Sequence, residues 1–480
     1  MRWRPLLNGK ERKPETTPQM QKNRVTSPAL YLLLVLPFII ATVSWHYFPQ
    51  LAEWLSLNLI GYEPTVEAAN WLWRALIIGY YTWFTYLSIA VGGSLAIAAW
   101  LSRHKASRSM HAIAFYPMVS FIVPGFNEAK LLPQCIKSLY NSAVSYPGPV
   151  EIIVVDDGSG DYTYETASAA FQLHSRKFPR VRGRAIRHTA NLGKAEALRT
   201  GVNCAQGEVI ALVDADSWWS AESLKCLIEY MYANGKAAVT GYVHPESSDG
   251  NPLIILQQLE YSQSLAIFRC AQALRNAVLV IPGALGLVDG NILRNILNSK
   301  RMQSVTEDFE ITLELHSRGY TVGYLNSGRS ATAAPASIQS LWKQRTRWFT
   351  GWLHNTLGIH RNLLLKKRWP SLLLMLSLVL EYLGAFVELS AICVFPALFG
   401  FAPDHGLFLL NLLWFGAYSI IVGIVLQAIA LRFAYTGGGY GRLLWYTPFY
   451  SLLRLVTLLA RIISILRYVL GGKGRWEKDR

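Results

Sequence analysis

Val209-Ile210-Ala211-Leu212-Val213-Asp214-Ala215-Asp216 is where this chain of 480 residues first declares an architecture. Five apolar residues, three of them β-branched, stop abruptly at two carboxylates separated by one alanine. A short apolar run of that kind reads as a strand buried on both faces. In extended backbone, residues two apart project to the same side. Asp214 and Asp216 can then share one divalent cation while it grips a diphosphate. Similar runs stand at 119–123, 150–155 and 237–242, and helical patterns at 129–142, 163–175, 194–204 and 220–233 fall between them. Strands alternating with helices predict βαβ units and a mainly parallel sheet, an α/β domain over 117–335 with Asp-x-Asp on its third strand.

Outside that region the composition changes. Hydrophobic residues make up 52% of the whole chain and charged ones only 16%, against roughly 25% charged in soluble domains. That excludes a wholly soluble enzyme and a disordered protein. The run 28–48 has no Lys, Arg, Asp or Glu and is long enough to span a bilayer; 74–103 is uncharged between its two arginines. The net charge of +16 resides in groups beside the apolar runs, such as Arg2, Arg4 and Lys10, Arg103 and Lys105, and Lys473 and Arg475. Such placement fits cytoplasmic loops facing anionic membrane lipids and argues against nucleic acid as a partner. The five cysteines have no Cys-x-x-Cys spacing, so reduced thiols are expected. The expected organisation is a basic cytoplasmic N-terminus (1–27), then two transmembrane helices joined by an external loop (28–102). The cytoplasmic domain (103–335) follows, then an amphipathic interfacial helix (336–368) and two more transmembrane helices (369–431). An interfacial or partly inserted segment with a basic cytoplasmic tail (432–480) ends the chain. Both termini and the domain are expected in the cytoplasm.

Five further clusters carry chemistry. Ser120–Glu128 and Asp156-Asp157-Gly158-Ser159-Gly160 each end a strand-like run in a polar turn, the edge at which α/β proteins bind ligands. The Asp156-Asp157 pair can accept hydrogen bonds from a ribose or a base N–H, or serve with Asp161 and Thr163 to cap a helix. Thr306-Glu307-Asp308 precedes a helical pattern over 309–317. Thr306 suits the N-cap, and the helix dipole favours the anionic form of Asp308, which a group taking a proton from a sugar hydroxyl requires. On a helix, Gln344, Arg347 and Trp348 share one face and offer an amide, a guanidinium for phosphate and an indole plane for a sugar ring. Glu381 and Glu388, seven apart in an apolar run, fit a polar passage better than lipid contact.

Taken in order, Asp157, Asp214-Ala215-Asp216, Thr306-Glu307-Asp308 and Gln344-x-x-Arg347-Trp348 resemble the processive membrane glycosyltransferases of family 2. The likeness covers 120–358. Within that group, Ser340-Leu341-Trp342-Lys343-Gln344-Arg345-x-Arg347-Trp348 and Asn191-x-Gly193-Lys194-Ala195-x-Ala197-Leu198 are similar to the wording of bacterial poly-β-1,6-N-acetylglucosamine synthases. The resemblance implies a GT-A (Rossmann-like) domain inserted between transmembrane helices, and inverting transfer from a nucleotide-diphosphate sugar, UDP-N-acetylglucosamine, onto a growing polysaccharide. By that likeness Asp157 holds the nucleoside, and Lys194 and Asp214 contact the nucleotide. Asp216, with Asp214, binds Mg2+ or Mn2+, and Asp308 is the general base. Gln344 and Arg347 hold the diphosphate, while Trp348 and Glu307 meet the acceptor. The resemblance leaves room for a small membrane partner subunit. Two other readings stand beside it: a single-sugar transferase acting on a polyprenyl phosphate or lipid, and a transporter or sensor with a dead domain. The first is not expected to carry Gln-x-x-Arg-Trp, and the carboxylates at 214, 216 and 308 argue against the second.

Overall fold

A computed structural model describes residues 91–109, 111–246, 250–390, 405–435 and 440–471. The basic N-terminus, the expected span 28–48, the external stretch 49–70, most of the second span and the turn at 401–404 lie outside the described residues. The described chain begins with α1 (Gly93–Ser109) and then alternates: β1 (Val119–Gly125), α2 (Leu132–Val144), β2 (Val150–Asp156), α3 (Thr163–Lys177), β3 (Val181–Arg187), α4 (Lys194–Cys204) and β4 (Val209–Leu212). Next come β5 (Ser217–Trp219), α5 (Ser223–Ala233), β6 (Ala238–Glu246), α6 (Pro252–Tyr261), which runs into a π-helical turn (Ser262–Arg269), and β7 (Gly286–Asp289). Then follow α7 (Gly290–Ser299), α8 (Glu307–Ser317), β8 (Val322–Ala333) and α9 (Ile338–Leu353).

The strands form one eight-stranded sheet in the order β3-β2-β1-β4-β7-β6-β8-β5. Pairs among β1 to β4 are parallel, whereas β7 runs antiparallel to both β4 and β6, so the sheet is mixed. Four strands escape the sequence reading: β3, the three-residue β5, β7 and β8. β3 alternates arginines with small residues because it is an edge strand with one open side, where charge guards against edge pairing. It makes the Asp-x-Asp strand the fourth, not the third. β7 is four residues long, and β8 carries Asn326, Ser327, Gly328 and Arg329 in its middle, where its pairing with β6 shifts register. β1 and β2 are buried almost end to end, and Phe121, Ile122, Ile152 and Ile153 are fully enclosed. Each such side chain contributes roughly 1.5–3 kcal/mol by leaving water.

The strand order places the site. The chain winds outward from β1 to β2 and β3, then returns to lay β4 on the other side of β1. Between β1 and β4 lies the reversal where α/β sheets open a crevice beyond their carboxyl ends. The register pairs Gly125 with Asp156 and Ile122 with Leu212, so the loops bearing Asp157 and Asp214 leave the same edge.

Past the sheet, α9 starts at a reciprocal Ser337–Ser340 capping box. α10 (Trp369–Ser390) opens with Pro370 in its first turn and is long and apolar enough to cross a membrane, as is the helix at Thr447–Val469. α11 (His405–Ala434) is largely apolar, with Gln427 and Arg432 towards its end, and α12 (Tyr450–Val469) packs along α9, with Ser464 Oγ donating to Thr346 O at 3.2 Å. Glu381 and Glu388 on α10 pair with Arg461 and Arg454 on α12. Both pairs repeat at seven residues, so two antiparallel helices meet along one charged stripe.

Candidate active site

Asp214 and Asp216 leave β4 in a turn rather than in extended backbone, because the strand stops at Leu212. Asp214 O accepts from Ser217 N at 3.0 Å, and Asp216 O from Ala333 N at 3.0 Å. Both carboxylates are half-buried, with Ala215 buried between them. The loop before β7 presses on Asp214 at Gly283, where a Cβ would stand 2.5 Å from Asp214 Oδ1. Trp219 Nε1 fixes that loop by donating to Ala284 O at 3.0 Å.

Lys194 joins the separate motifs. Its ammonium lies 2.7 Å from Asp214 Oδ1 and 2.7 Å from Glu307 Oε1. Burial alone lowers the affinity of an amine for its proton, but here the carboxylates of Asp214, Glu307 and Asp308 outweigh it and raise the lysine above its ordinary value. Lys194 opens α4, which places its side chain between the Asp-x-Asp turn and α8.

Asp157 is 2% exposed, and much of its hydrogen-bonding capacity is taken by protein. Oδ1 lies 2.8 Å from His188 Nδ1 and accepts from Leu192 N at 3.0 Å, while Oδ2 accepts from Gly193 N at 2.8 Å. It therefore ties down the loop that leads into Lys194, leaving one lone pair on Oδ2 for a ligand. Gly158 permits that close approach: its φ is +70°, and a Cβ would meet Ala190 C at 2.5 Å. Asp161 Oδ1 accepts from Thr163 N at 3.0 Å and Asp156 Oδ1 from Ser159 N at 3.0 Å, but the N-cap position of α3 falls on Tyr162, whose side chain makes no capping bond.

Asp308 stands in the first turn of α8 beside Glu307. Its Oδ1 accepts from Phe309 N at 2.7 Å. The helix start favours its anion, yet burial, reinforced by Glu307 and opposed by Lys194, pushes the carboxyl up to about 6. The expectation of a group simply held ionised is corrected to a stronger base that is still mostly ionised at neutral pH. Arg269, at the end of the π-helical turn, is a further cation near Asp308: burial lowers its pKa and the Asp308 carboxylate opposes that. Thr306 occupies the N-cap position without capping; its Oγ1 instead meets Ser304 Oγ and accepts from Asn355 Nδ2, both at 3.0 Å.

α9 lies against this segment. Arg347 donates to Val305 O at 3.4 Å, just ahead of Thr306-Glu307-Asp308. Gln344 accepts from Arg345, whose buried guanidinium pairs with Glu260 and lies 4.3 Å over the Trp348 ring. Contacts thus run from Asp157 through the 191–193 loop to Lys194, Asp214 and Glu307, and Arg347 reaches Val305 in the segment that leads into Asp308. Glu260, Arg345, His188 and Asn355 were missed in the sequence. Only Arg345 had a visible signal, its place inside Gln344-Arg345-x-Arg347, where it read as surface charge.

Among the described residues no three His, Cys, Asp or Glu side chains gather as a metal site. Two carboxylates at a loop suit a cation that completes its shell with phosphate and water, as Mg2+ does. The residues present fit such a cation with Asp216 and Asp214 as its protein ligands.

The chain matches the model for glycosyl transferase family 2 over residues 120–296 and that for glycosyl transferase family group 2 over residues 209–470, more than half its length. It belongs to glycosyl transferase family group 2. Curated relatives of this group 2 chain are named poly-beta-1,6-N-acetyl-D-glucosamine synthase. One from Staphylococcus epidermidis is 28% identical over 53% of this chain and 57% of its own. Another from Staphylococcus aureus (strain COL) is 26% identical over 56% of this chain and 63% of its own. The chain therefore spans little more than half the length of these relatives. A solved mannosyltransferase from Pyrobaculum calidifontis, in complex with GDP-Man and Mn2+, superimposes with a TM-score of 0.51 at 20% identity. It covers 80% of this chain and 99% of its own, which shows the shared mixed α/β, GT-A-like fold. The resemblance read from the motifs is borne out.

Proposed function

We propose that this family 2 glycosyltransferase is a processive, inverting polysaccharide synthase that uses UDP-N-acetylglucosamine and passes its β-linked product between its own apolar helices. The observation that carries the reading is Lys194, whose ammonium links the Asp-x-Asp turn to the helix bearing Asp308. A donor diphosphate held at Asp214 and Asp216 then faces a carboxylate poised to accept a proton. The naming of the curated relatives supports the sugar, and the Mn2+ bound by the mannosyltransferase of like fold supports a divalent metal.

In this mechanism Asp157 takes a base N–H with its remaining lone pair, and Lys194 and Asp214 hold the nucleotide. Gln344 and Arg347 grip the diphosphate. Trp348, steadied by Arg345, presents its ring to the acceptor sugar, and Glu307 helps to hold that sugar. Asp308 removes the proton from the acceptor hydroxyl as its oxygen forms the new bond to the anomeric carbon. The bond from that carbon to the diphosphate breaks on the opposite side, and the configuration inverts. A divalent cation at Asp214 and Asp216 supplies positive charge against the negative charge growing on the leaving diphosphate.

α10, α11 and α12 are assigned as helices that lie in or across the membrane, with the sheet domain cytoplasmic, both termini inside and 49–70 outside. The charged stripe of Glu381, Glu388, Arg454 and Arg461 gives a polyhydroxyl chain a polar neighbour within apolar surroundings. The test is to incubate the purified chain with a panel of nucleotide sugars, measuring diphosphate release and product mass. Release with UDP-N-acetylglucosamine and a ladder of products supports the reading. A single addition to a polyprenyl phosphate would establish the single-sugar alternative, and no release with any donor would leave a non-enzymatic domain.

A further inference from the structure

Trp352 lies one turn beyond Trp348 on α9, yet its surroundings differ. The Phe309 ring stacks near it at 6.0 Å and 13° between planes, and the Tyr382 ring at 4.9 Å and 27°. Phe309 follows Asp308 and its backbone N–H binds the Asp308 carboxylate. Tyr382 belongs to a π-helical turn of α10, Leu378–Leu383, a local widening that often marks functional sites. Its hydroxyl donates to Phe349 O at 3.0 Å. Arg461 of α12 covers the Phe349 ring at 4.8 Å while pairing with Glu381 at 3.6 Å. Trp352 therefore stands where the helix of Asp308, the helix of Arg347 and the paired apolar helices meet.

One face of α9 and of the π-helical turn that continues it (His354–Ile359) grips the residues before Asp308 at intervals of one turn. Arg347 reaches Val305 O, and a Cβ at Gly351 would come within 2.5 Å of Thr306 Oγ1. Asn355, fully buried, donates to Ser304 Oγ at 2.8 Å and Thr306 Oγ1 at 3.0 Å. These contacts hold the backbone at 304–306, and the Trp352 stack holds the next element, the ring of Phe309.

We propose that Trp352 is a positioning residue, which sets the Asp308 carboxylate in place through the stack Phe309–Trp352–Tyr382 and so aligns it with the apolar helix pair. The proposal rests on the assignment of Asp308 as the base. A misplacement of about 1 Å at a reacting group can cost on the order of a hundredfold in rate, and stacked rings define a plane and a distance that aliphatic packing does not.

The experiment uses the full chain in membranes and compares Trp352→Ala, Trp352→Phe and Tyr382→Leu, with Asp308→Asn alone and combined with Trp352→Ala. Trp352→Ala is expected to lower kcat about 10–100-fold with donor KM within about threefold. Trp352→Phe restores most of kcat. Tyr382→Leu, which removes the outer ring and its hydroxyl's bond to Phe349 O while leaving every residue of α9 in place, reproduces the selective kcat loss and carries the test if Trp352→Ala does not fold. On the Asp308→Asn background, Trp352→Ala costs no more than about twofold, because the group it positions is gone. Parallel loss of donor affinity, or a loss confined to long acceptors with short primers still served, overturns the proposal. A full additive loss on the residual turnover of a strongly slowed Asp308→Asn background also overturns it while leaving the base assignment intact. Turnover that survives in Asp308→Asn itself overturns the base assignment and the proposal together.

Discussion

Asp308 gives the most exposed prediction, because its surroundings fix both a rate and a pH. Burial and Glu307 raise its carboxyl to about 6, while Lys194 pulls the other way. A base with that value is about 90% ionised at pH 7 and about 9% at pH 5, so kcat should fall roughly tenfold between them. An ordinary carboxylate near 4 would leave the rate almost flat over that range. The sign follows from the proton count: activity needs the anion, so it is present above about 6 and lost as pH falls through it. Replacing Asp308 with Asn keeps the size of the side chain but removes the site for the proton. General-base loss typically costs about 10²–10⁴-fold. Donor affinity should barely move, since the diphosphate is assigned to Asp214, Asp216, Gln344 and Arg347. The assay is initial-rate diphosphate release against pH for the wild type and Asp308→Asn, with donor binding measured separately. Turnover within a few-fold of wild type in Asp308→Asn would refute the reasoning, with Glu307 next in line as base. So would a wild-type acid limb near pH 4.

Activity should vanish on chelation and return with Mn2+ or Mg2+, while Asp216→Ala stays inactive at any metal concentration; chelator-resistant turnover measured by diphosphate release would give these carboxylates a purely structural role. Trp348→Ala should reduce polymer yield and acceptor engagement more than donor affinity, and an equal loss of donor binding would point to disturbed packing of α9 instead. Arg345→Met leaves the partly exposed Glu260 carboxylate without its cation and should lower stability by about 1–3 kcal/mol, with Glu260→Gln added to it recovering a large part; a thermal unfolding series on the two singles and the double checks the coupling. A cysteine introduced at Ser175 should resist labelling from outside sealed cells and one at Glu63 should react, and the reverse result would invert the proposed topology.

The alternation of apolar runs and helical patterns fixed the α/β class, since a strand enclosed on both faces has few other sequences open to it. α4 begins and ends at the residues the pattern marked, Lys194 and Cys204, and α5 ends as expected at Ala233. The chemistry-bearing positions 157, 214, 216, 308, 344, 347 and 348 could be named because each closes a strand or shares a helix face, and local spacing reports that much. β3 and β8 were invisible, because an edge strand and a strand with an irregular polar middle have no wholly apolar run to betray them. The partners of the named residues were equally out of reach. Lys194 meets Glu307 across 113 positions and Arg345 meets Glu260 across 85, distances over which no periodicity carries information. The sequence by itself placed the carboxylates on their turns and helix starts. Only the tertiary structure brought a lysine between two of them, and burial there, a property of the assembled crevice rather than of any residue, set the basicity of Asp308.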